Sequence, residues 1–413
     1  MPIVSESGAY RFMMAVLAAV CLSLQTGTSA APAGPYKTAR KFINSPGVKA
    51  GEFTPAVLAG DTLYVTGQID KDPKTGRRPE GIAAQTRMAM DNLGSLLRAA
   101  GMDFGNVVSC HVHLVDIGQY AAMNEVYGSY FSPTNYPART TLGVSGLPGG
   151  ANVEVTCIAY ADKTKIVKVV PPAGAVPPSA GPYSPAVWAG DALYVSGHSG
   201  RDPKTNTRGA TAEDQTRQTM TGIGKILSTA GLEQTDAVFT NVYYLDPDGS
   251  QRTYAKLNSV YKDFFPLGLA PSRASFCVSK LPGAGAVVEM TYIASRDHKN
   301  GGRVIPVYNR QNQTSSRGGV LDGGTLYTSG RSAPGDTLEK QLRDLMETIR
   351  DILKLAGMDM EHVVDAHIYL KDIAQADAVT GLLKGYFPKN PPARTIVQVN
   401  LNDLVQVQAV AVR

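Results

Sequence analysis

The sequence predicts an α+β chain of three tandem units, each a sheet with helices on one face, and three observations carry that reading. A strand phrase recurs as "AGDTLYVTGQ" (59–68), "AGDALYVSGH" (189–198) and "DGGTLYTSGR" (322–331). A second phrase, "YPARTTLGV" (136–144), returns as "APSRASFCV" (270–278) and "PPARTIVQV" (391–399). Between them lie amphipathic helical patterns that stop alike at Gly101, Gly231 and Gly357. The glycine closing the first phrase falls at Gly67, Gly197 and Gly330, so the period is a whole domain rather than a solenoid repeat. A chain of 413 residues suits this, because a single core stops growing beyond roughly 250–300 residues.

Within each unit a glycine-containing turn precedes alternating apolar residues, the pattern of a hairpin. In the third helix Leu338, Leu342, Leu345, Met346, Ile349, Ile352 and Leu353 recur every three or four residues, and Gly357 caps the end. Strands "VVSCHVHLVD", "AVFTNVYYLD" and "VVDAHIYLKD" follow, then a second helix, the Arg-bearing strand and a final strand such as "NVEVTCIAYA". The order reads β-β-α-β-α-β-β, with units over 45–163, 181–296 and 316–413. Pro-rich residues 164–180 and the polar stretch 297–315 read as linkers. The sheet face opposite the helices also alternates, so it must be buried, and the other two sheets are the obvious cover.

Composition is globular: 43% hydrophobic and 18% charged residues exclude disorder. A net charge of +5 with no dense Lys/Arg block argues against nucleic acid. Behind Arg11 an apolar run over 11–24, then small residues at Thr28 and Ala30, read as a signal peptide over 1–30 cleaved near Ala30. The mature protein is expected to be periplasmic or secreted and not membrane-bound. Cleavage removes Cys21 and leaves Cys110, Cys157 and Cys277, an odd number that permits at most one bridge. Each lies in an apolar strand, so buried structural thiols are expected.

Taken together, the strand-Gly, Q-T, L-x-x-A-G, N-x-V-Y-x-x-F and P-A-R-[ST] signatures, in this order, resemble those of the RidA/YjgF family, also called endoribonuclease L-PSP. The resemblance spans about 45–413. It implies a chorismate-mutase-like fold, normally a homotrimer with ligand sites between subunits, which three tandem units would form within one chain as a monomeric pseudo-trimer. It also implies hydrolysis of reactive enamines and imines such as 2-aminoacrylate to 2-keto acids and ammonia, with no cofactor and no metal.

The residues suit that chemistry. A planar guanidinium holds a carboxylate bidentately, which makes Arg139, Arg273 and Arg394 the expected clamps of a small carboxylate-bearing substrate. Glu154 and Glu289, fifteen or sixteen residues further on, are placed to hold and polarise water. By position in the family motifs, Tyr183 and Phe53 line the pocket, with Ser316 in their place in unit three. Asn124 and Asn258 recur where unit three has Thr380. Thr141 and Ser275 replace a frequent Cys, with Ile396 in the third copy, and backbone groups at Gly67 and Gly197 face the ligand. In the degenerate third unit Gln406 occupies the glutamate position and cannot serve as a base, so one or two working sites are expected rather than three.

Rival readings are distinguishable. Isolated arginines are usually surface ion pairs, but recurrence inside one strand phrase favours a ligand role. His111 and His113 share a strand face, as two metal ligands could. Unit two has Asn241 and Tyr243 there and no third ligand is evident, so packing is expected. A non-catalytic exported carboxylate binder is the alternative to the deaminase. Ribonuclease ranks last, for want of a His pair with Lys or an aromatic-basic stripe.

Overall fold

The structure is a computed structural model that describes residues 38–44, 52–246, 249–266, 268–298, 302–305 and 318–413. The export segment 1–30 and Ser316 lie outside them. Unit one runs β1 (Arg40–Ile43), β2 (Ala56–Ala59), β3 (Thr62–Val65), the short β4 (Gln68–Ile69), α1 (Ile82–Ala99), β5 (Val107–Leu114), α2 (Tyr120–Ser129), β6 (Ala138–Gly143) and β7 (Val153–Tyr160). Unit two runs β8 (Ile166–Val169), β9 (Ala186–Ala189), β10 (Ala192–His198), α3 (Ala212–Thr229), β11 (Ala237–Tyr244), α4 (Arg252–Tyr261), β12 (Ser272–Cys277) and β13 (Val288–Ser295). Unit three runs β14 (Arg303–Ile305), β15 (Gly319–Asp322), β16 (Thr325–Thr328), α5 (Leu338–Leu355), β17 (Val363–Leu370), α6 (Ala376–Leu383), β18 (Ala393–Gln398) and β19 (Val405–Val412).

The three sheets share one strand order: β1-β2-β3-β7-β5-β6, β8-β9-β10-β13-β11-β12 and β14-β15-β16-β19-β17-β18. The Arg-bearing strands β6, β12 and β18 pair in parallel with β5, β11 and β17. A parallel neighbour needs a crossover, which the second helix of each unit supplies. Each sheet begins with one more strand than the sequence pattern suggested. Strand β8 lies inside the span read as the first linker and β14 inside the second, so 164–180 and 297–315 are not free linkers throughout. Both strands are short, at 4 and 3 residues, too brief for an alternating pattern to stand out.

Alternation decides the burial. On β3, Leu63 and Val65 pack with the helices while Tyr64 joins a second core. On β17, Ile368 and Leu370 face α5 and α6 while Val364 and Tyr369 join that same second core. This shared core draws Val57 and Leu142 from unit one, Phe239 and Phe276 from unit two, and Val320 and Val397 from unit three. The helix-opposite faces of the three sheets therefore cover one another, removing apolar area from water on every side. Hydrogen bonds between units close a cycle: Arg139 N–H donates to Ser196 Oγ (2.8 Å), Arg273 N–H to Ser329 Oγ (3.1 Å) and Arg394 N–H to Thr66 Oγ1 (3.0 Å).

Cys110 and Cys157 are bonded as a disulfide, the one bridge the odd count permits, where buried structural thiols were preferred; among the described residues Cys277 is the free cysteine, and it is buried. The pair sit directly opposite one another on antiparallel β5 and β7, with Cα atoms 4.1 Å apart. Their 47-residue separation hides that proximity in the sequence. By loop-closure entropy the bridge is expected to contribute about 2–4 kcal/mol. The urea midpoints of the oxidised chain and of Cys110→Ala/Cys157→Ala measure it, and equal midpoints would refute the contribution.

Candidate active site

Each Arg-bearing strand lies at a unit boundary, so each arginine faces the next unit. Arg139 and Arg273 are buried, and Arg394 is half-buried. Arg139 Nη2 donates to the Tyr120 hydroxyl (3.2 Å), and its guanidinium carbon lies 4.8 Å from the Tyr127 ring centre and 5.4 Å from that of Tyr183 in unit two. Arg273 repeats the arrangement, with Nη1 donating to Asn258 Oδ1 (2.8 Å), Nη2 to the Tyr254 hydroxyl (3.1 Å) and Tyr261 beneath at 4.7 Å. Arg394 has a poorer bed. It stacks 4.6 Å from Phe53 and donates to the Glu52 carbonyl oxygen (3.3 Å), and burial pulls its guanidinium down to about 10.

The aromatic bed was legible and overlooked. Tyr120 precedes Asn124 by four residues and Tyr127 follows it by three, one helical turn either way. Tyr254 and Tyr261 stand in the same relation to Asn258, whereas around Thr380 the equivalent positions are Ala376 and Leu383. A cation over an aromatic face is held by the ring quadrupole, so Arg139 and Arg273 are fixed where Arg394 has only Phe53.

The carboxylates join the arginines across unit boundaries, not within a unit. Glu289 meets unit one, where the Thr140 hydroxyl donates to Oε1 at 2.5 Å; Arg208 of its own unit and Arg139 of unit one contribute favourable charge. Glu154 lies beside Gly67, whose N–H donates to the Arg394 carbonyl oxygen (3.0 Å), and Arg394 feels its charge. Gln406 lies beside Gly330, whose N–H donates to the Arg273 carbonyl oxygen (3.1 Å). Which units share each cleft was open in the sequence; the three clefts hold Arg139 with Glu289, Arg394 with Glu154, and Arg273 with Gln406. The cleft without a carboxylate is the one holding Arg273, not Arg394. A Cβ on Gly67, Gly197 or Gly330 would collide with Glu154, Glu289 or Gln406 respectively, so these glycines make room for the side chain they accompany.

The two glutamates have different neighbours. Burial pushes Glu289 up to about 7, against the pull of the Thr140 hydroxyl and of Arg208 and Arg139. Glu154 is instead contacted by His113 Nδ1 at 3.3 Å, and Thr395, the counterpart of Thr140, bonds Thr156 (2.9 Å) rather than the carboxylate. His111 stands 6.0 Å from His367 by ring centres, its imidazole held well below the usual range by burial and by His367. No group of three or more His, Cys, Asp or Glu among the described residues could hold a metal. In the Arg139 cleft several buried polar atoms have no partner among the described residues: Arg139 Nη1, Asn124 Oδ1 and Thr141 Oγ1. His198, beyond Gly197, is half-buried with its ring against Gly222, and the burial of that ring pushes it down to about 4.

The endoribonuclease L-PSP family model matches residues 43–161, 174–296 and 312–412. The 2-iminobutanoate/2-iminopropanoate deaminase of Rattus norvegicus is 43% identical over 123 residues, covering 29% of this chain and 89% of that protein. That of Homo sapiens is 41% identical over 110 residues, covering 26% and 80%. Protein DfrA of Myxococcus xanthus is 44% identical over 128 residues, covering 30% and 97%. Each relative thus corresponds to a single unit of the three. With its motifs, its thrice-repeated sheet and a family match over most of its length, the chain belongs to the endoribonuclease L-PSP family, the RidA/YjgF family that its sequence resembles.

Proposed function

We propose that the chain hydrolyses 2-imino acids and their enamine tautomers to 2-keto acids and ammonia, chiefly in the cleft of Arg139 and Glu289. The observation that carries this reading is the pairing of a free guanidinium edge, Arg139 Nη1, with a buried carboxyl poised near neutrality. The substrate carboxylate takes the Arg139 edge over the Tyr127 ring, which fixes the imine carbon. Ionised Glu289 accepts a proton from water as the oxygen adds to that carbon. The carbinolamine takes that proton back on nitrogen; as the C–N bond breaks, its hydroxyl gives its own proton to the re-ionised Glu289, the C=O forms, ammonia leaves with a 2-keto acid, and Glu289 then releases the proton to solvent. The names of the relatives similar to single units support the same reaction.

The cleft of Arg394 and Glu154 keeps both charges but lacks the helix tyrosines and asparagine, so it contributes the smaller share. The Cys110–Cys157 bridge supports export, since disulfides persist in oxidising compartments. The closed cycle of inter-unit hydrogen bonds supports a monomer in solution.

A base must be ionised to act, so kcat/KM is expected to fall as pH drops through about 7, the value to which Glu289 is raised. Ammonia release from enzymatically generated 2-iminobutanoate, followed from pH 5 to 9, tests this. The limb is expected to vanish in Glu289→Gln, and no acceleration over the spontaneous rate at any pH would sink the proposal.

A further inference from the structure

Glu154 has an imidazole beside it where its counterparts have phenols. On the antiparallel ladder of β5 and β7, His113 lies directly opposite Glu154; the same register sets Tyr243 opposite Glu289 and Tyr369 opposite Gln406. His113 Nδ1 stands 3.3 Å from Glu154 Oε1, and both side chains are buried. An ionised carboxylate only accepts, so this bond requires the hydrogen on Nδ1 and fixes the tautomer. The tyrosines are engaged elsewhere. The Tyr243 hydroxyl meets His111 Nε2 at 3.4 Å, and the Tyr369 ring stacks on Phe276 with centres 4.0 Å apart. Three positions back along the first ladder, the Cys110–Cys157 bridge ties β5 to β7 and holds the register that sets His113 against Glu154.

In the Arg139 cleft, Oε1 of Glu289 is held by the Thr140 hydroxyl of the neighbouring unit. The counterpart of that threonine in the Arg394 cleft, Thr395, bonds Thr156 instead. Glu154 therefore lacks the anchor that Glu289 has, and His113 occupies the same oxygen. A carboxylate that activates water with one oxygen is kept in line by fixing the other. We propose that His113 is the positioning residue of the Arg394 cleft, holding Oε1 of Glu154 and leaving Oε2 to the water that attacks the imine carbon. It acts through Glu154 and does not touch substrate. Unit one has thus replaced a hydroxyl borrowed across a boundary with a donor from its own adjacent strand. The proposal rests on reading Glu154 as the base of that cleft.

Glu289→Gln isolates the Arg394–Glu154 cleft, and ammonia release from 2-iminobutanoate by that full-length chain gives the reference rate. Adding His113→Leu is expected to lower kcat by about 10- to 100-fold, the cost of misplacing a reacting group by roughly 1 Å. KM is expected to hold, because Arg394 still clamps the substrate. Adding His113→Asn instead, whose amide N–H can stand where Nδ1–H stood, is expected to restore most of kcat. A packing role would reverse that order, since apolar Leu fills a buried site better than Asn. His113→Phe, with melting temperatures for every chain, repeats the measurement should Leu unfold the protein. Equal rates in the Leu, Phe and Asn chains, or a rise in KM with kcat held, overturn the proposal. If Glu289→Gln alone falls to the rate of Glu289→Gln/Glu154→Gln while the unaltered chain is active, Glu154 is no base, and the proposal falls with the Arg139 cleft intact. If the unaltered chain gives no acceleration, the deaminase reading falls and this one with it.

Discussion

A chain carrying both Glu289→Gln and Glu154→Gln is expected to hydrolyse 2-iminobutanoate about 10²–10⁴-fold more slowly than the unaltered chain, the usual contribution of a positioned general base. The amide keeps the size of each side chain but cannot accept the water proton. The single variants are expected to divide the loss unequally. Glu154→Gln removes the cleft whose arginine rests only on Phe53 and a backbone carbonyl, so less than about half of the turnover goes with it when two clefts act in parallel. Glu289→Gln removes the larger part. Full activity in the double variant, measured by ammonia release, would take the base role away from both residues.

Arg139→Ala supplies the sharper test, because it identifies the partner of the clamp. Losing a buried charged contact to substrate is expected to lower that cleft's kcat/KM by ~30- to 10³-fold. Arg139 and Glu289 serve one cleft, so Arg139→Ala/Glu289→Gln should be hardly worse than the poorer single variant, the non-additivity of groups that act as a unit. Arg139→Ala/Glu154→Gln disables both carboxylate-bearing clefts and should approach the double glutamine variant. Had the two residues fifteen apart in sequence shared a cleft, the two pairs would exchange behaviour. Steady-state rates of these single and double variants, with melting curves to confirm folding, decide between the arrangements.

The contrast between those arrangements marks where sequence reasoning reaches and where it stops. The three units, their helices and the three arginines were legible because each is written in local periodicity and repeated phrases. Which glutamate meets which arginine was not, since it depends on the cyclic order of the sheets, seen in Thr140 reaching Glu289 across 149 positions. The same holds for the Cys110–Cys157 bridge, created by strand register, and for the edge strands β8 and β14, too short to show a period. Burial by a neighbouring unit raises Glu289, and no window of sequence around that residue contains the neighbour. The tyrosines beneath Arg139 and Arg273 are the opposite case, a one-turn spacing from Asn124 and Asn258 that was available to be read.

The hydrogen bond from Arg394 N–H to Thr66 Oγ1, which joins the last unit to the first, changes what dilution can do. Pockets shared between separate subunits exist only while those subunits associate, so they empty of partners as concentration falls. Here the covalent chain supplies each unit with its neighbour at an effective concentration fixed by the connecting segments, on the order of millimolar for short tethers. The composite clefts of this molecule therefore persist one molecule at a time, however far apart the molecules drift.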